Sequence, residues 1–175
     1  WIEYIKSQGD NPYLWDTGHH YGDWLGLDAP YGSYRGATAT ELIATAYYAY
    51  STSIVVKAGK VLGYDTSQYE ELYCKIREAF QNNFIKDGRL TSDTQTAYAL
   101  TICFGLADDS ASMGRRLNEL VVENGYKLTT GFLGTPYLLP ALTKAGYHET
   151  AYSLLLQEEF PSWLYSVNQG ATTIW

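Results

Sequence analysis

The ionisable side chains on the long, glycine- and aromatic-rich stretches of this chain are Asp10, Asp16, His19, His20, Asp23, Asp28, Asp87, Asp93, Glu158 and Glu159. A carboxylate next to a glycine and a flat ring can approach a ligand closely, accept its hydrogen bonds and share it with a stacking face. Asp23 fits that description best, with Gly22 before it and Trp24 after it. A solvated loop aspartate or a helix cap would account for Asp23 equally well. The adjacent pair His19-His20 points apart in a loop and lacks a ligand partner four residues away, so no metal is expected. Asp93 reads as a helix cap, and Glu158 and Glu159 as solvated residues at a helix end. Gly131-Phe132-Leu133-Gly134 lacks the Lys-Ser/Thr of a phosphate loop, so no cofactor is expected either. Trp163, in Pro161-Ser162-Trp163, is either core packing or a pocket wall.

The elements that must hold these residues are helices. A helical remnant opens the chain at residues 1–6. Across 38–62, Ile43, Tyr47, Tyr50, Ile54, Ala58 and Val61 step by threes and fours, and Gly63 closes the run. Ser67-Gln68-Tyr69-Glu70 has the form of a capping box, opening a helix with Leu72, Ile76, Phe80 and Phe84 on one stripe. Asp87-Gly88 is a turn. Asp93 then caps a helix with Ala97, Leu100, Phe104 and Leu106, and Met113, Leu117, Leu120 and Val121 mark another that ends at Gly125. Thr135 as cap with Pro136 at the first position starts a helix to Lys144, kinked at Pro140, and Ala151, Tyr152 and Leu155 mark the last. No strand of convincing length interrupts the series. The class is all-α, built from antiparallel helical hairpins.

The connections alternate in character. Residues 7–37, 85–92, 124–134 and 158–175 are long and rich in glycine or aromatic residues, whereas 63–66, 107–109 and 145–148 are short and polar. Alternate connections of successive hairpins lie on one rim, so all the elaborated loops gather on one side, where function concentrates. Gly22, Thr130, Gly131, Phe132 and Trp163 are therefore expected around one common cavity on that rim.

With 175 residues, 46% of them hydrophobic, the chain can bury one sizeable core. A net charge of −7 argues against a nucleic-acid partner, and no apolar run approaches the ~20 residues of a membrane span. Cys74 and Cys103 have no metal-site spacing and read as two buried thiols. The 17 tyrosines exceed what a core of this size needs, which predicts that some rings line a surface for flat or ring-shaped ligands such as sugars. Both ends read as cut: Trp1 begins a helix without a cap, and Ile174-Trp175 ends on two large apolar residues. The expectation is a piece of a larger protein, with Trp1, Ile5, Ile174 and Trp175 exposed and self-association through uncovered helix faces. No signal peptide is visible, and no compartment is assigned.

The order Thr129-Thr130-Gly131-Phe132-Leu133-Gly134-Thr135-Pro136, then Ala145-Gly146-Tyr147, Pro161-Ser162-Trp163 and Gly170-Ala171-Thr172-Thr173-Ile174-Trp175 resembles the catalytic domain of bacterial α-L-rhamnosidases of the six-helical-hairpin type. Tyr21-Gly22-Asp23-Trp24-Leu25 resembles a segment of the same domain that contributes to its sugar pocket. The resemblance covers nearly the whole chain. It implies that residues 1–175 are one partial domain, about half of an (α/α)6 toroid truncated at both ends. It further implies a parent enzyme that hydrolyses terminal rhamnose from glycosides or glycans by inversion, with two glutamates as acid and base. The acid motif of that family has no counterpart here, and its base would follow Trp175. No catalytic residue is therefore carried over, and the isolated chain is expected to be inactive. The substrate-binding candidates are Tyr21, Asp23, Trp24, Thr130, Phe132 and Trp163. Tyr and Trp faces beside a carboxylate suit a sugar with a C6 methyl group.

Two other readings stand beside it. A non-catalytic hairpin scaffold that binds protein or peptide fits the helical rhythm, but no fixed-period self-similarity links the hairpins. Another toroid glycosidase or lyase acting on acidic sugars would need basic residues on the rim, where only Arg35, Lys86, Arg89 and Lys127 lie near it.

Overall fold

Helix stripes and their caps dictate the architecture seen in a computed structural model that describes residues 1–173. Eight helices occur among the described residues: α1 (Ile2–Lys6), α2 (Thr40–Val61), α3 (Ser67–Phe84), α4 (Gln95–Phe104), α5 (Ser110–Glu123), α6 (Thr135–Lys144), α7 (His148–Leu155) and α8 (Trp163–Asn168). One small antiparallel ladder, β1 (Ile85–Lys86) with β2 (Arg89–Leu90), joins α3 to α4 around the Asp87-Gly88 turn. Both turn residues have positive φ, the backbone that a tight two-residue hairpin demands.

Each outer helix buries one stripe. On α3 it is Leu72, Ile76, Ala79, Phe80 and Phe84, and on α5 it is Met113, Gly114, Leu117 and Val121. By contrast, α4 is buried on nearly every side, because it packs against α2, α5 and α6 at once. The helices thus pair as α2/α3, α4/α5 and α6/α7. In the inner layer α4 lies between α2 and α6, while α5 and α7 meet outside it. Three hairpins in two layers are half of a six-hairpin toroid. The inner helices all begin at the rim that carries the long connections.

Local details differ from the sequence expectation in instructive ways. Thr94, not Asp93, caps α4 by accepting from the Ala97 N–H, while Asp93 turns to the Tyr98 hydroxyl and Arg116. The α3 cap is Thr66, whose hydroxyl donates to Glu70, so the expected box at Ser67 does not form. Gly134 is the N-cap of α6. Thr135 is its first helical residue and pairs its hydroxyl with that of Thr130 at 2.7 Å. The α8 helix lies in a stretch read as loop, and Ser162 caps it by accepting from the Tyr165 N–H. Ile5 is fully buried against the core rather than exposed, whereas Trp1 is exposed. Ile174 and Trp175 lie outside the described residues. Cys74 is exposed on α3, and only Cys103 is half-buried, its thiol pKa pushed up by that burial.

Buried tyrosines are tolerated because each phenol finds a partner. Tyr48 donates to the Pro12 carbonyl, and Tyr98 donates to Asp93 while accepting from the Leu90 N–H.

Candidate functional site

Cross-links among the long connections place them on one rim. Leu27 and Asp28 donate their N–H groups to the Thr129 carbonyl, and Gln95 bridges the Lys127 carbonyl and the Thr129 N–H. Lys127 pairs with Glu159 at 2.9 Å, and Gln157 donates to the Gly125 carbonyl, tying in the stretch after α7.

At the centre of these links is Asp23, only 1% exposed. Its Oδ2 accepts from the Thr96 hydroxyl at 2.5 Å and the Gly131 N–H at 2.7 Å. Its Oδ1 accepts from the N–H groups of Leu133 at 2.7 Å and Gly134 at 3.1 Å. Four donors converge on one carboxylate where α4 and α6 begin, so the positive ends of two helices offset its desolvation. Glycine is required at the contact. A Cβ on Gly131 would overlap the Trp24 carbonyl, and one on Gly134 would overlap the Thr96 hydroxyl. The sequence singled out this aspartate, and in the structure its carboxylate is engaged by protein donors. Asp23 is a buried clasp between two loops, with no lone pair left facing solvent. Thr130 is likewise buried beneath the surface.

Above the clasp the chain forms a strap. Residues 24–36 leave and return through the Trp24–Arg35 bridge, the Leu25 N–H to Tyr34 carbonyl bond (2.6 Å) and the Gly36 N–H to Asp23 carbonyl bond (2.9 Å). Leu25 has φ 57°, a left-handed conformation that costs of order 1 kcal/mol in a non-glycine residue. The bonds on either side of it hold it there. At the strap's base Asp28 accepts the Ala37 N–H, and burial raises the Asp28 pKa above the ordinary carboxylate value. The Trp24 carbonyl accepts from the Phe132 N–H at 2.9 Å, so the 131–134 loop fastens the tryptophan backbone directly.

Aromatic rings cover the solvent side. Trp24 is half-buried and has Tyr21 standing edge-on to it (centroids 5.7 Å, 87°) and Tyr34 tilted beside it (5.5 Å, 39°). Tyr21 and Phe132 are exposed. A neighbouring open cleft of about 190 Å³ is lined by Trp15, His20, Tyr21, Gly22, Tyr47 and Leu133, among others. His20 stands edge-on to Trp15, hydrogen-bonds the Thr17 carbonyl and forms one wall of the cleft. Burial, and then the neighbouring Tyr137, push the Tyr47 phenol pKa upward, so it stays a neutral donor.

Of the six sequence candidates, the clasp gathers Tyr21, Asp23, Trp24, Thr130 and Phe132. Trp163 is the first residue of α8, packed on the core, and shares no ring or hydrogen-bond contact with the others among the described residues. Of the five residues expected around one cavity, only Gly22 lines this cleft; Leu133 points into it where Phe132 was expected. Trp15, Tyr34, Tyr47 and Leu133 were not singled out. Tyr47 lay in the helical stripe already counted as core, and Trp15 and Tyr34 sat in loop without neighbours to mark them.

Two further rim carboxylates are engaged in ion pairs: Asp93 with Arg116, and Glu159 with Lys127. The surface built here can hold a ring-shaped polar molecule.

Comparison with known proteins adds the lineage of this arrangement. A family model described as the bacterial alpha-L-rhamnosidase 6 hairpin glycosidase domain matches residues 1–175. The alpha-L-rhamnosidase of Streptomyces avermitilis is 39% identical across the whole chain, which covers 16% of that protein. One from Formosa agariphila is 40% identical over 89% of the chain and 17% of its own length. The crystal structure of the S. avermitilis enzyme complexed with L-rhamnose superposes on the whole chain and 16% of its own, with a TM-score of 0.91 at 38% identity. That of the native Aspergillus terreus enzyme gives 0.91 at 33% identity, over 99% of this chain and 21% of its own. The chain spans about a sixth to a fifth of the length of these relatives.

Proposed function

Because the chain belongs to the bacterial α-L-rhamnosidase six-hairpin glycosidase domain family, we propose that it forms part of an enzyme that removes terminal α-L-rhamnose from glycosides or glycans. The observation that carries this reading is the ring corner of exposed Tyr21 and half-buried Trp24, held above the buried Asp23 clasp. A sugar ring has one apolar C–H face for the Trp24 ring, and rhamnose adds a methyl group that an aromatic corner accommodates. Phe132 extends that apolar surface, while Asp23 and Thr130 hold it from below.

The reaction proceeds by inversion, with a water held between two carboxyl groups ~6.5–9.5 Å apart. The engagement of Asp23, Asp93 and Glu159 supports placing both groups elsewhere in the enzyme. This chain contributes positioning and a sugar platform, and proton transfer comes from outside it. Exposed Ile54, Val61 and Leu62 on or beside α2, with Tyr152 and Leu156 on or beside α7, favour self-association of the chain taken alone.

The test is an aryl α-L-rhamnoside assay of the whole enzyme and of the 175-residue chain, with the product anomer followed by NMR. The whole enzyme is expected to release the inverted anomer, and the chain alone to show less than roughly a thousandth of its rate, since both acid and base are missing. Comparable turnover by the chain, or a retained anomer, would overturn this assignment.

A further inference from the structure

A second open cleft, of about 320 Å³, shares a chain segment with the first. It is lined by Asn11, Tyr13, Lys75, Glu78, Asn82 and Asn83, while Trp15, two residues after Tyr13, lines the cleft beside Tyr21. Two residues span at most ~7 Å of backbone, so the clefts are neighbours. The shared segment is pinned. Tyr48 donates its hydroxyl to the Pro12 carbonyl at 3.2 Å, and the Trp15 N–H donates to the Thr45 hydroxyl at 3.1 Å. The Asn11 side chain accepts the Tyr13 N–H at 3.0 Å. One strip of backbone, fastened to α2, therefore holds a wall of each cleft.

The lining of this second cleft is polar. Lys75 pairs with Glu71 at 2.6 Å and lies over the Tyr13 ring, 5.6 Å from its centroid, so its charge is matched and the ring is held. Glu78 and Asn82 stand one turn apart on α3, with about 5–6 Å between such Cβ atoms, a spacing comparable with the width of a pyranose. Both are exposed, and neither side chain makes a hydrogen bond among the described residues. The small buried Ala79 beside them leaves room for a ligand. Asn83 donates its amide to the Ala79 carbonyl at 2.7 Å, and Asn11 uses its oxygen on Tyr13. That leaves the Asn83 oxygen and the Asn11 amide N–H groups for a ligand.

We propose that this cleft is a glycan subsite, binding a neutral pyranose away from the bond that is cleaved. Carboxylate and amide oxygens accept from sugar hydroxyls, and amide N–H groups donate to them. The set suits a ligand whose hydroxyls do both. The Glu78 carboxylate repels uronic acids, and with Lys75 paired to Glu71 the charge balance favours an uncharged sugar. The choice of a glycan as ligand rests on the rhamnosidase reading above. The pyranose comes from one of two sources. It is a further unit of the glycan whose terminal rhamnose sits at the Tyr21–Trp24 corner, or it belongs to a separate chain.

The experiment compares the whole enzyme, unmodified and with Glu78→Ala and Asn82→Ala combined, in two measurements. The first is kcat/KM on an aryl α-L-rhamnoside and on rhamnose-capped neutral oligosaccharides of increasing length. The second is retardation in gels containing a neutral galactan free of rhamnose. Both substituted residues are exposed, and the aryl rhamnoside, too short to reach the second cleft, should be hydrolysed at an unchanged rate, which also reports an intact fold. On the longer oligosaccharides the variant should lose about tenfold in kcat/KM, mostly through KM. That outcome assigns the pyranose to the substrate chain itself. Unchanged kinetics with lost retardation by the galactan assigns it to a separate chain. No change in either measurement, or equal losses on the aryl rhamnoside and the oligosaccharides, would overturn the subsite. If the unmodified enzyme cleaved no rhamnoside at all, the rhamnosidase reading would fail, while the galactan gels would still decide the cleft.

Discussion

Substitution of Asp23 separates a clasp from a ligand contact. In Asp23→Ala, the buried N–H groups of Gly131, Leu133 and Gly134 and the Thr96 hydroxyl lose their common acceptor. The hydroxyl can rotate to another partner, but the three amides cannot. An unsatisfied buried donor costs about 1–3 kcal/mol, and water entering the vacated space recovers part of that. The expected loss is ~3–6 kcal/mol, a large share of the ~5–15 kcal/mol that holds a domain together. Asp23→Asn should cost less. Its remaining oxygen can serve Leu133 and Gly134, and its amide can donate to the Thr96 hydroxyl, so that only the Gly131 N–H meets another donor. About 1–3 kcal/mol is expected there. Urea unfolding followed by far-UV circular dichroism measures both. Losses below ~0.5 kcal/mol for Ala, or an Asn cost equal to that of Ala, would refute the clasp. A fully stable Asp23→Asn enzyme with a reduced kcat/KM would restore the aspartate to sugar binding.

Two further outcomes follow from the same rim. Arg116 holds the Asp93 carboxyl below its usual pKa, chiefly by hydrogen bonding. That pair stabilises the fold above the ordinary carboxylate range near pH ~4, and its contribution fades as pH falls through the lower folded value. The Tm difference between unmodified protein and Asp93→Asn should therefore be largest near neutrality and shrink below about pH 4. It should stay modest, since Asp93 is partly solvated, and a difference constant with pH would contradict the pairing. Gly131→Ala should destabilise by about 2–3 kcal/mol, because the added carbon meets backbone on two sides. Gly88→Ala, with open space but φ 74°, should cost only ~1–2 kcal/mol in the same urea assay; equal costs would remove the close-approach argument.

Helices were legible because each is a repeating local pattern: Leu72, Ile76, Phe80 and Phe84 announce α3 without reference to anything distant. The rim was legible because the alternation of long and short connections is also a property of the chain alone. The role of Asp23 was not. Gly22-Asp23-Trp24 looks the same whether the carboxylate faces a sugar or four protein donors, and three of those donors are backbone amides that leave no side-chain mark. Gly131 and Gly134 were visible as loop glycines, yet what each one approaches lies more than a hundred or nearly forty residues away. Asp93 and Thr94 are both competent caps, and the choice is made by Arg116, 23 residues on. The α8 helix was hidden between Pro161 and Gly170, which read as punctuation.

The bond between Asp23 and Gly131 spans 108 residues. Four helices, α2 to α5, lie between the two partners, and closing so long a loop is slow relative to forming any hairpin within it. The Asp23 clasp and the rings it carries therefore assemble later than the hairpins that lie between its two partners. During synthesis the Trp24 strap emerges early and waits, with its rings exposed, until residues 129–135 arrive. That interval, rather than the finished fold, is when its aromatic surface is open to wrong partners.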